Sequence, residues 1–420
     1  MAATTTTIDK ILKYVYSNRA LQNAVYDQNP GFAMVPKKGG FVGRSHIHAI
    51  TYGNSLARSP TFATAQGRAG INGASGTDSG FNRDVNFTLP RVKNYAMASI
   101  EQEAVLASKG DNGAFISATT QHIDGILQTL KNDFGRDIYG RGDGALGQVT
   151  AVSGSGPYTF TVGEAITQIE VGMEIVASTT TVDTILLNSG GGVVVTGVNR
   201  SAGTFTAATN PDSIVANCWL FIKGDRQVAA ITSNSHYIKI LGFNAWNPIV
   251  APSASESFLG VDRSVDVTRL AGHRLDISAL QPEEGYITAL AAMGREDAKP
   301  GVILTSYTDE KNLKLALGSR VEAEYSQMGD VGFESMRLRG PNGTVRVYAD
   351  RNAPVGYSRL LQMDTWELKH LGELVNKGDT LGDGGWAREY QADRFECRFS
   401  FYGNMVCHKP SANMVVTLPT

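Results

Sequence analysis

Apolar residues recur at two spacings along this chain, and the spacings divide it into elements. Between Ser117 and Ile138, the residues Ile123, Ile126, Leu127, Leu130, Phe134 and Ile138 fall on one face of a 3.6-residue period. That pattern predicts a long amphipathic helix, with Ser117 or Thr119 placed to cap its start and Gly140 to end it. Shorter helices are predicted at Glu283–Arg295, with Ile287, Leu290 and Met293 on one face, and at Asp309–Leu317, with Thr308 as N-cap. Ile8, Ile11, Leu12 and Val15 predict a further helix within 8–27. The second spacing is strict alternation. Phe395, Cys397, Phe399 and Phe401 alternate with Glu396, Arg398 and Ser400, which predicts a strand with one buried face; Thr344–Tyr348 is another strand.

Two stretches follow neither pattern for long. Residues 147–225 are rich in Val, Thr and Gly, and turn signals recur at Gly154–Pro157, Asn188–Gly192 and Asn199–Gly203. This predicts a small all-β module inserted into a larger α+β body. Residues 41–90 have strand-like ends around a small, polar, Gly-rich middle with few large apolar residues. A structureless loop of that length does not suit a compact domain, whereas a long projecting hairpin does. Such a hairpin is marginal alone and needs a partner surface, which is the first hint of an assembling protein.

Composition narrows the class. The 420 residues include 42% hydrophobic positions and carry a formal net charge of −2, so the chain can bury sizeable cores and shows no dedicated nucleic-acid footprint. The 46 glycines favour turns and strands over a helical bundle. No apolar run approaches the roughly 20 residues that span a bilayer, so no membrane partner is expected. Met1–Thr7 lacks the basic start and apolar stretch of a secretory signal. Cys218, Cys397 and Cys407 form no CxxC pair, which fits a reducing compartment. Basic residues dominate the first segment, with Lys10, Lys13 and Arg19 facing few acids. A solvated face explains them as well as an arm lying against acidic neighbours or DNA does.

Candidate chemistry is sparse. Gly142–Gly147 matches GxGxxG, but it follows a helix and leads into strands, the reverse of a dinucleotide site. His46 and His48 share one face of a strand, yet no further ligand cluster completes a metal site. Arg141–Asp143 spells an adhesion-type tripeptide of the length chance produces. No GxSxG elbow is present, and Cys397 reads as a buried small hydrophobe. No catalytic constellation emerges, and no cofactor is expected.

The ordered set of segments resembles the major capsid proteins of tailed bacteriophages with the Hong Kong 97 fold. Asn29–Lys38 (NPGFAMVPKK) is similar to that family's arm-to-body segment. Ile50–Gln66 (ITYGNSLARSPTFATAQ) resembles one side of its extended E-loop hairpin, and Ala96–Gly147 its return strand, long spine helix and Gly-rich exit. Phe258–Arg274 is similar to the A-domain entry, and Gly343–Tyr357 to a strand followed by a protruding P-loop. Asp364–Glu373 and Ala392–Val416 resemble the closing segments.

The resemblance implies an N-terminal arm (1–40), E-loop (41–95), P-domain (96–146), inserted β-rich domain (147–225), A-domain (226–342) and P-loop with closing segments (343–420). It implies a structural subunit and no enzyme: hexamers and pentamers of one chain forming an icosahedral virion shell, assembled in a bacterial cytoplasm. Arg58, Phe62, Arg68, Phe81, Arg83 and Asp84 would make inter-subunit contacts from the hairpin, and Asp350, Arg351, Asn352 and Pro354 from the P-loop. Lys10, Lys13 and Arg19 would lie on the inner face, near packaged double-stranded DNA held without sequence preference. The chain begins almost at the arm, so guidance would come from a separate scaffolding protein, or from a prodomain that lies outside this sequence, with portal and decoration or cement proteins as further expected partners. No lysine lies between Lys38 and Lys93, so the covalent hairpin cross-link of some family members is not expected. Two alternatives stay open: an encapsulin-like compartment subunit, and a β-rich binding protein or enzyme.

Overall fold

The computed structural model describes residues 29–55, 57–68, 82–101, 112–179, 187, 191–225, 237–254, 256–318, 322–328, 331–377, 386–389 and 393–419. The helix expected within 8–27 lies outside the described residues, as do Lys10, Lys13, Arg19 and Phe81.

The chain mixes α and β throughout. Helix α1 (Pro30–Met34) and strand β1 (Lys37–Gly39) lead to β2 (Ser45–Gly53), α2 (Phe62–Arg68), β3 (Arg83–Pro90) and β4 (Val92–Glu101). The long helix α3 (Asn112–Asp137) follows. Next come β5 (Ala145–Gln148), β6 (Ala151–Ser153), β7 (Tyr158–Thr161), β8 (Glu174–Ser178), β9 (Val193–Asn199), β10 (Thr204–Ala207) and β11 (Trp219–Ile222). The chain continues through α4 (Phe243–Trp246), β12 (Ser257–Phe258), β13 (Val261–Asp262), α5 (Val267–Ala271), β14 (His273–Asp276), α6 (Pro282–Met293), β15 (Val302–Thr305) and α7 (Tyr307–Leu317). It ends with β16 (Glu322–Met328), β17 (Val331–Gly340), β18 (Gly343–Ala349), β19 (Tyr357–Leu361), β20 (Trp366–His370), β21 (Asn376–Lys377), β22 (Trp386–Arg388), β23 (Arg394–Cys407) and β24 (Met414–Thr417).

Strand β23 organises the first core. Its register places β4 along one edge, and β20, β21 and β22 in turn along the other, with β1 parallel to β20. The alternation read from the sequence holds for Cys397, Phe399 and Phe401, which are buried, and for Arg398, which is exposed; it fails at the start of the strand, where Phe395 is half-buried and Glu396 is buried and accepts from Arg398. Helix α3 covers this face, with the Phe134 ring edge-on to Phe401 at 5.0 Å and stacked on Phe32 of α1 at 5.3 Å. Leu127, Leu130, Phe134 and Ile138 form its buried stripe, as the helical period requires. Past Asp137 the backbone tightens, Gly140 N–H donating to the Asp137 carbonyl at 3.0 Å.

The second core lies under a sheet ordered β14-β24-β19-β15-β18-β17-β16 among the described residues, packed by α6 and α7. Proline opens α6, and Glu283 and Glu284 occupy its first turn, where acids complement the helix dipole. The buried stripe is Tyr286, Ala289, Leu290 and Met293. Ile287, expected on that stripe, is instead 39% exposed: the aromatic one step before it takes the inward position. Helix α7 is capped by Ser306 and not by Thr308. The Ser306 hydroxyl accepts from the Asp309 N–H at 3.1 Å, while Thr308 Oγ1 donates to Glu164 at 3.0 Å.

A third sheet runs β5-β11-β8-β9-β10-β7-β6 and closes on its own apolar cluster, where the Phe160 and Phe205 rings stack at 4.8 Å. Gln168 and Glu164 of this unit touch the rest of the chain at Asn352 (3.4 Å) and Thr308. No helix among the described residues is long and apolar enough to cross a membrane.

Candidate functional site: the hairpin, its root and the 350–356 loop

Strands β2 and β3 pair antiparallel from Ser45↔Pro90 to Gly53↔Arg83, with an irregularity after Thr51. The end nearest the body is anchored at home. Phe41, Ile50, Phe87 and Leu89 are buried in the first core, and the Phe87 ring packs on Trp246 at 5.3 Å. Thr88 N–H donates to the Leu259 carbonyl at 3.2 Å, and Asn404 Nδ2 to the Pro90 carbonyl at 2.8 Å. Arg269 Nη1 donates to the Tyr52 carbonyl at 2.8 Å. The expectation that the whole of 41–90 lacks a home surface is therefore too broad, because the root buries Phe41, Ile50, Phe87 and Leu89, although Val42 and Ile47 stay exposed.

The distal part differs. Helix α2 buries none of its residues, and Phe62 is 78% exposed. Arg58, Arg68, Arg83 and Asp84 are also exposed. Arg68 Nη1 donates to the Arg58 carbonyl at 2.6 Å, and Thr51 Oγ1 to Asp84, both within the hairpin. These contacts hold the hairpin's own shape and leave its side chains facing outward.

The 350–356 loop corrects the sequence reading. Asp350, expected to meet another subunit, is 1% exposed. Its carboxylate accepts from Gly31 N–H (3.0 Å), Tyr139 Oη (3.0 Å) and Asn352 N–H (2.9 Å), tying the start of α1, the exit of α3 and its own loop together. Burial raises the Asp350 carboxyl above its ordinary range, and burial with Asp350 alongside raises the Tyr139 hydroxyl further. Asn352 is committed in the same way, donating to Asn29 Oδ1 at 2.8 Å. Gly356 N–H donates to Asp309 Oδ2 at 3.0 Å, which pins the far side of the loop. Arg351 and Pro354 are half-buried, so little of this loop protrudes.

The remaining motifs resolve as structure. Gly142 (φ +88°) and Gly144 (φ +80°) make the turn between α3 and β5; a Cβ on Gly142 would lie 2.7 Å from Leu241. In the adhesion-type tripeptide, Arg141 pairs with Glu256 at 3.4 Å, and the buried Asp143 accepts from Ala145 N–H at 3.1 Å. Cys218, Cys397 and Cys407 are buried and unbridged, and burial pushes the Cys407 thiol far up. Among the described residues no group of three or more His, Cys, Asp or Glu is placed to hold a metal.

Three features escaped the sequence reading. Strands β16 and β17 form a second hairpin: β17 pairs with β18 only from Met336 to Gly340, whereas β16 follows it to Val331. At the exit of α3, Lys239 lies 3.0 Å from Asp225 and 4.0 Å from Asp133, and Arg136 pairs with Asp133 and Asp137. His408 joins His46 and His48 at the hairpin root. Only the alternation of His46 and His48 hinted at the last, and their partners come from the distant 366–408 segment.

Neither a protein-family model nor a curated protein matches the chain. Among solved structures it is similar to a chain of the cyanophage A-1(L) capsid asymmetric unit, at 11% identity over 92% of each chain with a TM-score of 0.49. It is similar to the capsid of a native GTA particle at 10% identity, over 96% of this chain and 91% of that one, with a TM-score of 0.43. An encapsulin from Synechococcus elongatus matches 35% of this chain and 52% of its own, at 11% identity and a TM-score of 0.27.

Proposed function

We propose that the chain is the major capsid protein of a tailed phage, a Hong Kong 97-type subunit that closes head to tail into rings of five and six and so into a shell. The observation that carries this reading is the hairpin. Its root is built into the core, while α2 buries no residue and presents Phe62 with Arg58 and Arg68. A rigidly rooted projection with an unburied aromatic tip suits a contact on a neighbouring copy, where strand and side-chain contacts offset the ordering of the segment. Head-to-tail contacts of one such patch close into rings by rotation. The segments resembling the family follow in its order along nearly the whole chain. In that reading Arg58, Phe62, Arg68, Phe81, Arg83 and Asp84 contact the next subunit, and Arg351 and Pro354 supply the accessible part of the P-loop. The 145–222 sheet is an inserted module. Double-stranded DNA fills the shell in contact with the basic arm, and scaffolding, portal and decoration proteins complete the particle.

Electron microscopy and sedimentation velocity of the purified chain test the proposal. Shells, rings of five or six copies, or aberrant curved sheets are the expected result. A monomer that stays monodisperse at high concentration and under crowding overturns it.

A further inference from the structure

The hairpin meets the body through histidines. Alternation along β2 turns His46, His48 and Ile50 inward and leaves Ile47 and Ala49 outside. The His48 ring lies edge-on to His408 at 4.8 Å and to Trp246 at 6.4 Å. Its Nε2 is buried and has no hydrogen-bond partner among the described residues. His46 Nε2 lies 3.0 Å from Lys369 Nζ, and His408 Nε2 lies 2.9 Å from Glu367 Oε2.

The charge around this junction is unbalanced. His46 from the same strand, Lys369 and Glu367 from β20, and His408 just past β23 are the titratable groups acting on His48; α4 contributes the neutral Trp246. The single carboxylate, Glu367, already serves His408, Lys369 at 3.7 Å and Lys38 of β1 at 4.0 Å. Burial alone would raise Glu367, but the His408 hydrogen bond and the two lysines hold it below its ordinary value, so it stays an anion. A proton on His48 would find no acceptor there and would face His408 and Lys369.

We propose that the His48–His408 contact is an acid-sensitive latch: the uncharged His48 ring clamps the 46–48 stretch of β2 against the body, and its protonation frees that stretch so that the hairpin changes its angle while the core beneath Ile50 stays folded.

The direction follows from the titration. Burial, then His408, His46 and Lys369, lower His48 from 6.5 to about 4 in the clamped state. A base depressed in this way contributes fully above its free value of 6.5, and the contribution falls as pH drops from 6.5 toward 4. The ratio of freed to clamped hairpin then rises by at most about tenfold per pH unit, and by less because the ring is not sealed from solvent.

The test is read in the dilute, unassembled full chain, so it is separate from the shell reading. Amide hydrogen exchange, corrected for intrinsic rates, is followed over 45–53 at pH 7, 5.5 and 4.5, with 394–407 as reference. Exchange over 45–53 is expected to accelerate at least tenfold relative to the reference between pH 7 and 4.5, and His48→Gln and His408→Gln are expected to flatten that response. Unchanged protection at pH 4.5, the same acceleration in His48→Gln, or equal loss over 394–407 overturns the latch. Should the variants misfold, NMR titration of the wild-type imidazoles decides: His48 neutral to below pH 5 upholds it, and an ordinary titration near 6.5 overturns it.

Discussion

Asn352 Nδ2 donates to Asn29 Oδ1 at 2.8 Å across 323 residues of sequence, and the pair lies directly over Gly135 of the long helix. Asn29 also donates to the Lys131 carbonyl at 3.1 Å, so the bridge clasps the helix backbone. A Cβ at Gly135 would run into both amide groups. Gly135→Ala gains about 1 kcal/mol of helix propensity. It also forces the bridge apart, and the expected net result is a loss of about 1–3 kcal/mol in urea unfolding. A variant as stable as the parent would show that the bridge yields freely.

Asp350→Ala strands three donors, the Gly31 and Asn352 amides and the Tyr139 hydroxyl. Each buried group left unpaired costs roughly 1–3 kcal/mol, so thermal unfolding should shift by many degrees. Arg351→Ala, one residue on and half-buried, should shift it far less.

Lys239 faces Asp133 and Asp225 and lies within the field of Asp137. Lys239→Met leaves those carboxylates facing one another with Arg136 as the nearby cation, and should cost about 3–5 kcal/mol. The double variant Lys239→Met with Asp225→Asn should recover part of that loss in the same denaturation experiment. No recovery would mean that the lysine acts through packing alone.

Phe62→Ser removes an aromatic ring that touches little of its own chain. Monomer stability should change by no more than about 0.5 kcal/mol. On the proposed shell function, particle yield measured by sedimentation should fall several-fold. Normal yield would remove the tip of the hairpin from the assembly contact.

The three thiols are buried, so the native protein should resist an aromatic disulfide reagent and react fully only in denaturant. Fast reaction of one equivalent in native buffer would place one of them at the surface.

Local pattern made some of this architecture legible and left the rest hidden. The alternation from Cys397 to Phe401 and the stripe from Leu127 to Ile138 depend on neighbours in sequence and read through to the buried faces, whereas Glu396, expected outside, is buried. Ile287 misled because two neighbouring positions on α6 were both apolar, and only the opposing sheet decides between them. Asp350 misled more deeply. A charged residue in an Asp-Arg-Asn turn reads as surface, and its burial follows from partners 319 and 211 residues away. The histidine cluster has the same character: two members stand side by side in sequence, and the third arrives with the far end of β23. Of the hairpin, the strands were visible as strand-like ends around a Gly-rich middle, but the division into a buried root and an unburied tip was not.

Strand β23 has a consequence for biosynthesis. It is the middle of its sheet, and it supplies the edge on which β4 is laid down some three hundred positions earlier. Until residues 394–407 are made, β4 lacks its partner strand and the face of the long helix that meets Phe401 has no sheet to cover. A chain that stops short of that strand leaves β4 and β20–β22 without the partner they share, so the first sheet closes last although its opening strands come early.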